Sequence, residues 1–253
     1  MNLILFDIDG TLTPSGNIIQ NDMVHKIKQL ASKNNYILGL VGGGTIEKIR
    51  YQMNKTISCF KYIFAECGSV IYIKSNNSDN LELVQKKNMI DYCDRLILND
   101  IIKSALVSIA DMPIIYHGHQ IDFRNGLVYI SPPGMQATDY ERNIFMEQDK
   151  KYNLRKKLLS KLKLLNVDNS LEIVLGGNVG IAIYPKEWNK SQVIEYLMEK
   201  TLISFNKIYY FGDRTEPDGN DYPIYSHPLI NGFSVKKYHD TIDLIEKYFL
   251  SDN

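Results

Sequence analysis

Three things are scarce in this chain of 253 residues: uncompensated charge, cysteine and arginine. Lysine plus arginine and aspartate plus glutamate each total 29, so the formal net charge is zero, and there is no basic arm or aromatic-interleaved patch to follow a nucleic-acid backbone. Nucleic acid is therefore not an expected partner. Cys59, Cys67 and Cys93 have neither CxxC spacing nor nearby histidines, which argues against a disulfide framework and against a zinc site. No stretch reaches about 18 uninterrupted apolar residues, and the first residues run straight into a strand pattern rather than a basic-then-apolar leader. The expectation is a soluble, cytoplasmic protein with no membrane partner. Only 6 of the 29 basic residues are arginine, the fork-shaped ligand of phosphate, and that scarcity bears on what the chain can grip.

What is present is periodic. LILF, Ile18 to Ser32, YILGLV, Ile46 to Met53 and YIFA alternate between continuous apolar runs and amphipathic stretches. This βαβαβ rhythm implies an α/β fold with a parallel sheet covered on both faces. The polar run KSNNSDN at 74 to 80 reads as a loop or hairpin tip near a domain boundary. Beyond it the texture suits an antiparallel sheet with helices. In QIDFRNGLVYI, Asn125-Gly126 lies between apolar alternations and predicts a hairpin; SLEIVLGGNVGIAIY predicts another, turning at Gly176-Gly177-Asn178. Thr138 with Glu141 predicts a capping box, and a lysine-rich helix is expected from Leu154 to Leu165. KIYYFGD then returns to the opening style. The simplest architecture is a parallel core from residues 1–83 and 186–253, with an α+β domain inserted at 84–185.

The stretch FDIDGT places two aspartates, Asp7 and Asp9, at the end of an apolar strand. By strand alternation they can project the same way at the carboxyl edge of the sheet, where ligands of open α/β folds bind. Two close carboxylates repel unless a cation or a shared proton relieves them, and Mg²⁺ is the natural cation for oxygen ligands and phosphate. A plain strand-to-turn exit explains DxDGT about as well on its own. The segment KIYYFGDRTEPDGNDYP favours chemistry, because Asp213 again ends a buried strand and Asp218, Asn220 and Asp221 follow. In LGLVGGGTIEKI, a glycine turn at Gly43-Gly44 leads into a helix from Thr45, a plausible phosphate cradle at a helix N-terminus. Lys190, at another helix start, could supply a cation beside Asp7.

These segments, in this order, resemble the haloacid dehalogenase (HAD) superfamily of phosphotransferases. FDIDGTLTP, VGGG, FAECG, IDFRNGLVYISPPG, ERNIFMEQDKK, IYPKEWNK and FGDRTEPDGNDY are further similar to successive segments of eukaryotic-type phosphomannomutases. The resemblance implies a HAD-like Rossmannoid core with an inserted cap domain that closes over the sugar and carries a homodimer interface. By position it makes Asp7 the nucleophile and Asp9 the general acid and base. It assigns Mg²⁺ to Asp7, the Asp9 carbonyl and Asp213, with Asp221 in support. Thr11, Gly43, Gly44 and Thr45 would hold phosphate oxygens, Lys190 would offset charge during transfer, and Arg124 would grip the substrate from the cap.

The chain departs from the family mainly in residues that would grip the distal phosphate and sugar. Positions where relatives carry arginine hold Gly16, His117 and Met135; serine and aspartate positions hold Gly180 and Ala182; the turn serine is Gly44. Losing two or three charged hydrogen bonds of roughly 1.5–3 kcal/mol each would weaken the grip on a distal phosphate. Three readings follow. The first is a mutase interconverting mannose 6-phosphate and mannose 1-phosphate, with hexose 1,6-bisphosphate as activator. The second is a Mg²⁺-dependent phosphatase on a different small phosphoester. The third is a non-catalytic binding or regulatory relative.

Overall fold

The computed structural model describes the chain except for Asn77, Leu202, Ile203, Asp218, Asp252 and Asn253. It divides into two compact units, Met1–Lys86 with Trp188–Asn253, and Lys87–Glu187.

The first unit opens with β1 (Asn2–Phe6), α1 (Asn21–Ala31), β2 (Tyr36–Val41), α2 (Ile46–Met53) and β3 (Tyr62–Ala65). An antiparallel pair follows, β4 (Val70–Lys74) and β5 (Leu81–Lys86). β5 hydrogen-bonds to β4 in the same sheet, so a boundary at residue 83 would cut through a strand; the division falls after Lys86 instead.

The second unit contains α3 (Arg95–Ala110), β6 (Ile121–Phe123), β7 (Val128–Ile130), α4 (Asp139–Tyr152), α5 (Leu154–Lys163), β8 (Leu171–Gly176) and β9 (Gly180–Pro185). Its four strands run in the order β6-β7-β9-β8, all antiparallel. The Arg124 N–H donates to the Leu127 carbonyl at 2.9 Å, closing a two-residue turn over Asn125-Gly126. The loop of the other hairpin is residues 177–179, one residue later than the glycine pair suggested, because Gly176 still pairs with Gly180. Thr138 and Glu141 cap α4 reciprocally.

The chain then returns to the first unit with α6 (Gln192–Lys200), β10 (Ile208–Gly212), α7 (Tyr222–Tyr225), β11 (Ile230–Ser234) and α8 (Tyr238–Ile245). The seven-stranded sheet has the order β11-β10-β1-β2-β3-β4-β5, parallel from β11 to β3. Alternate residues of β1 explain why its run is apolar throughout. Ile4 and Phe6 pack with Met23 and Ile27 of α1 and Ile49 of α2, while Leu3 and Leu5 pack with Val193 and Leu197 of α6. Both faces are thus covered. β1 and β10 lie side by side in register, Phe6 opposite Phe211, so the segments leaving their carboxyl ends emerge together. Among the described residues, no helix is long and apolar enough to cross a membrane.

Candidate active site

Asp7 follows directly on β1, its N–H still paired to the Phe211 carbonyl at 2.9 Å. Its alternation places it on the Leu3 and Leu5 side of the sheet, where it meets Lys190, two residues before α6. Lys190 is wholly buried. Its Nζ donates to Asp7 Oδ1, to Asp221 Oδ1 at 2.6 Å and to the Tyr210 hydroxyl at 3.4 Å. Tyr210 donates to Asp221 Oδ1 at 2.5 Å, and the Arg214 N–H donates to Asp221 Oδ2 at 3.0 Å. A buried ammonium is tolerable because two carboxylates surround it.

Two glycines make this crowding possible. A Cβ on Gly212 would lie 2.7 Å from Asp221 Cγ, so only a bare backbone lets Asp221 fold back on the end of β10. Gly10 has φ +84° and its Cβ would fall 2.4 Å from Asp213 Oδ2, so the turn after Asp9 closes directly onto Asp213.

Carboxylate oxygens of Asp7, Asp213 and Asp221 lie within 4.8 Å of one another. Burial, with Asp221 and Asp213 nearby, pushes Asp7 up to about 8 despite the pull of Lys190. Burial and Asp221 likewise push Asp213 up to about 6, against Arg214 and Lys190. One lysine therefore does not neutralise three acids. The donors are hard oxygens at the edge of a parallel sheet, which fits Mg²⁺.

Asp9 corrects the expectation that the two aspartates project together. The strand ends at Phe6 and the chain turns over residues 8–13, so alternation no longer governs Asp9. Its Oδ1 accepts from the Gly16 N–H at 2.6 Å and from Gln52 Nε2 at 2.8 Å, and its Oδ2 accepts from Lys48 Nζ at 2.6 Å. Although burial opposes it, the charge and hydrogen bond of Lys48, with those of Gly16 and Gln52, hold the Asp9 carboxyl below its usual range. The Asp9 side chain is not one of the three clustered carboxylates, which leaves its backbone carbonyl as the group that could reach a metal.

The glycine turn sits where the sequence placed it. Thr45 caps α2, its Oγ1 accepting from the Lys48 N–H at 3.5 Å. The turn is braced by residues 66–68: the Glu66 N–H donates to the Gly44 carbonyl at 3.0 Å and the Cys67 N–H to the Gly42 carbonyl at 2.9 Å. Glu66 and Cys67 hold φ of 50° and 59° to do so, the kind of strain that clusters at functional sites. Thr11 is fully buried, and its hydroxyl has no hydrogen-bond partner among the described residues, an orphan suited to an anion's oxygen.

Arg124 belongs to the second unit. Its Nε donates to Asp122 Oδ2 at 2.7 Å and its guanidinium lies 5.2 Å from the Tyr129 ring centre. His117 pairs with Glu141 at 3.1 Å. Asp218 lies outside the described residues. Tyr210, Lys48 and Gln52 were not foreseen. Tyr210 is the middle of three consecutive aromatics in β10, whereas Gln52, buried between Ile49 and Met53 on the core side of α2, is the one polar residue on that face and could have been noticed.

Comparison with known proteins bears on family and fold. The family model described as "Eukaryotic phosphomannomutase" matches residues 23–251. A "Phosphomannomutase" of Dendrobium officinale is 34% identical over 251 residues, covering 98% of this chain and 94% of the relative. "Phosphomannomutase 1" of Mus musculus is 33% identical over 254 residues, covering 99% and 93%. Among solved structures, the chain is similar to an IMP-bound IMP-nucleotidase of Plasmodium falciparum, with TM-score 0.68 at 15% identity over 97% of this chain and 67% of that one. It is also similar to the C-terminal domain of a trehalose-6-phosphate phosphatase of C. albicans, with TM-score 0.66 at 15% identity over 97% and 91%. These likenesses establish a HAD-like fold.

Proposed function

The chain belongs to the eukaryotic phosphomannomutase family, and from that premise we propose that it interconverts mannose 6-phosphate and mannose 1-phosphate through an aspartyl phosphate on Asp7. The observation that carries this reading is the convergence of Asp7, Asp213 and Asp221 around Lys190, from opposite ends of the sequence.

Asp7 carries the phosphoryl group at the start of the cycle, primed by hexose 1,6-bisphosphate. A sugar hydroxyl attacks the phosphorus, its proton passes to Asp9, and the bond to the Asp7 oxygen breaks. The resulting bisphosphate turns over, Asp7 attacks the other phosphate, and Asp9 returns the proton to the departing sugar oxygen. An Asp9 held below the usual carboxyl range is in the base form that the first half needs. Lys190 opposes the effect of burial on Asp7, favouring its carboxylate form for the second half, and offsets charge on the transferring group. Thr11 and the turn from Gly43 to Thr45 receive phosphate oxygens, a role supported by the orphaned Thr11 hydroxyl. Mg²⁺, held by Asp7, the Asp9 carbonyl and Asp213 with Asp221 behind them, would neutralise charge on the phosphoryl group.

The inserted unit acts as the cap: Arg124 engages the substrate, water is kept from the aspartyl phosphate, and a homodimer forms through this unit. On this reading the protein works in the cytoplasm. A second reading, hydrolysis of a different small phosphoester, is favoured by the residues at Gly16, His117 and Met135, none of which supplies a guanidinium. One assay decides. Purified protein is incubated with mannose 1-phosphate, Mg²⁺ and catalytic hexose 1,6-bisphosphate and followed by phosphorus NMR. Mannose 6-phosphate is expected; free phosphate alone would replace the mutase with the phosphatase.

A further inference from the structure

Lys48 takes no step of its own in the cycle above, yet it forms an ion pair with Asp9. The two oxygens of Asp9 are held unequally. Oδ1 is fixed by a backbone N–H, that of Gly16, and by Gln52, whose side chain is buried. Oδ2 is held by Lys48, whose side chain is 42% exposed and ends in a mobile point charge on a four-carbon stem. The stem takes this path because residue 44 is glycine: a Cβ there would lie 2.9 Å from Lys48 Cδ. The ammonium group thus reaches Asp9 by crossing the turn, Gly43 to Thr45, assigned above to phosphate. It stands between two anions, one always present and one that comes and goes.

We propose that Lys48 is a positioning residue that passes from Asp9 Oδ2 to the phosphate arriving at the glycine turn. In the resting protein it pins Asp9 by its outer oxygen. When phosphate arrives, the ammonium follows the larger negative charge, and Oδ2 is left free to exchange a proton with the substrate oxygen while Gly16 and Gln52 keep Asp9 in place. An exposed ion pair is weak enough to be exchanged in this way. The inference rests on the assignment of Asp9 and of the cradle made above, but its test reads binding rather than turnover, so it can fail while the sugar-phosphate chemistry stands.

The test is titration of the full-length protein with orthophosphate in saturating Mg²⁺ by calorimetry. Lys48→Met should weaken binding about tenfold, the loss of one charge-assisted contact, and Lys48→Arg should restore it to within about threefold. Asp9→Asn should tighten binding, because Lys48 no longer has a competing partner. The diagnostic is the double variant: the gain from Asp9→Asn must vanish in the Lys48→Met background. A lysine serving only the stability of α2 would leave both affinities unchanged. Wild-type affinity in Lys48→Met, additive effects in the cycle, or no phosphate binding by the wild type would each overturn the proposal.

Discussion

Replacing Lys190 by methionine tests the centre of the site, because the lysine is wholly buried between Asp7 and Asp221. Methionine fills much of the volume but removes the charge, leaving carboxylates within 4.8 Å of one another and the Tyr210 hydroxyl without its cation. Breaking a buried ion pair from one side costs about 3–5 kcal/mol. For a chain of this size each kcal/mol lowers Tm by about 2–4 °C, so a fall of roughly 6–20 °C is expected without metal. The aspartates can escape part of the penalty by taking up protons, and Asp7 already sits at about 8, so the deficit should shrink as pH is lowered. Adding Asp7→Asn to Lys190→Met removes one of the stranded charges and should recover part of the loss. Thermal and urea unfolding at pH 6 and pH 8.5, with and without Mg²⁺, measure all of this. A Lys190→Met protein within about 0.5 kcal/mol of wild type at pH 8.5 would refute the claim that this lysine holds the acid cluster together.

Asp7→Asn should abolish isomerisation and hydrolysis alike while leaving circular dichroism unchanged; a fully active Asp7→Asn protein would remove the nucleophile. The stabilisation conferred by Mg²⁺ should grow as pH rises from 5 to 8.5. The metal binds the ionised carboxyls, and Asp213 at about 6 and Asp7 at about 8 lose their protons only across that window, so each proton displaced costs up to about tenfold in affinity per pH unit below it. A flat Mg²⁺-induced shift in Tm would exclude proton-linked binding at this cluster. Gly10→Ala should weaken Mg²⁺ binding at least tenfold and destabilise by about 1–3 kcal/mol, because it combines a left-handed φ with a Cβ 2.4 Å from Asp213 Oδ2; calorimetry with Mg²⁺ that shows wild-type affinity would sink the close approach.

Much of this arrangement was legible because local and global signals agreed. LILF, YILGLV and YIFA are apolar throughout since both faces of β1, β2 and β3 are covered, and the Asn-Gly turn and the Thr138 capping box act over four residues, where sequence reasoning is strongest. The failures share a physical cause. β5 is largely exposed, so LELVQK carries little burial signal and the boundary was drawn through it. Asp9 was assigned a direction by strand alternation one turn after the strand had ended. α3 is apolar around most of its circumference, which blurs its helical period. Tyr210 and Lys48 act through partners 11 and 39 residues away, and no local pattern marks such pairs.

The altered cap residues take on a different meaning in three dimensions. Asp122, Tyr129, Ala182 and Val174 form one row across the four strands of the second unit, and Arg124 lies on the ring of Tyr129. A Cβ on Gly180 would fall 2.3 Å from Tyr129 Cζ, and one on Gly176 2.9 Å from Cε2, so the ring occupies space that side chains on β8 and β9 would otherwise fill. Tyr129 also donates to the Gly176 carbonyl at 2.9 Å, which locks the ring there. Counted along the sequence, the missing serine and aspartate at Gly180 and Ala182 are separate losses of hydrogen bonding. In the sheet, the Tyr129 ring occupies the space that a side chain at 180 would take, so the two positions are one site, and energies of residues in contact do not add. Gly180→Ser alone must therefore push the ring aside, and because its Cβ would also fall 2.6 Å from the Ile130 carbonyl oxygen, recovering a polar face requires a shift of β7 as well as a change at 129.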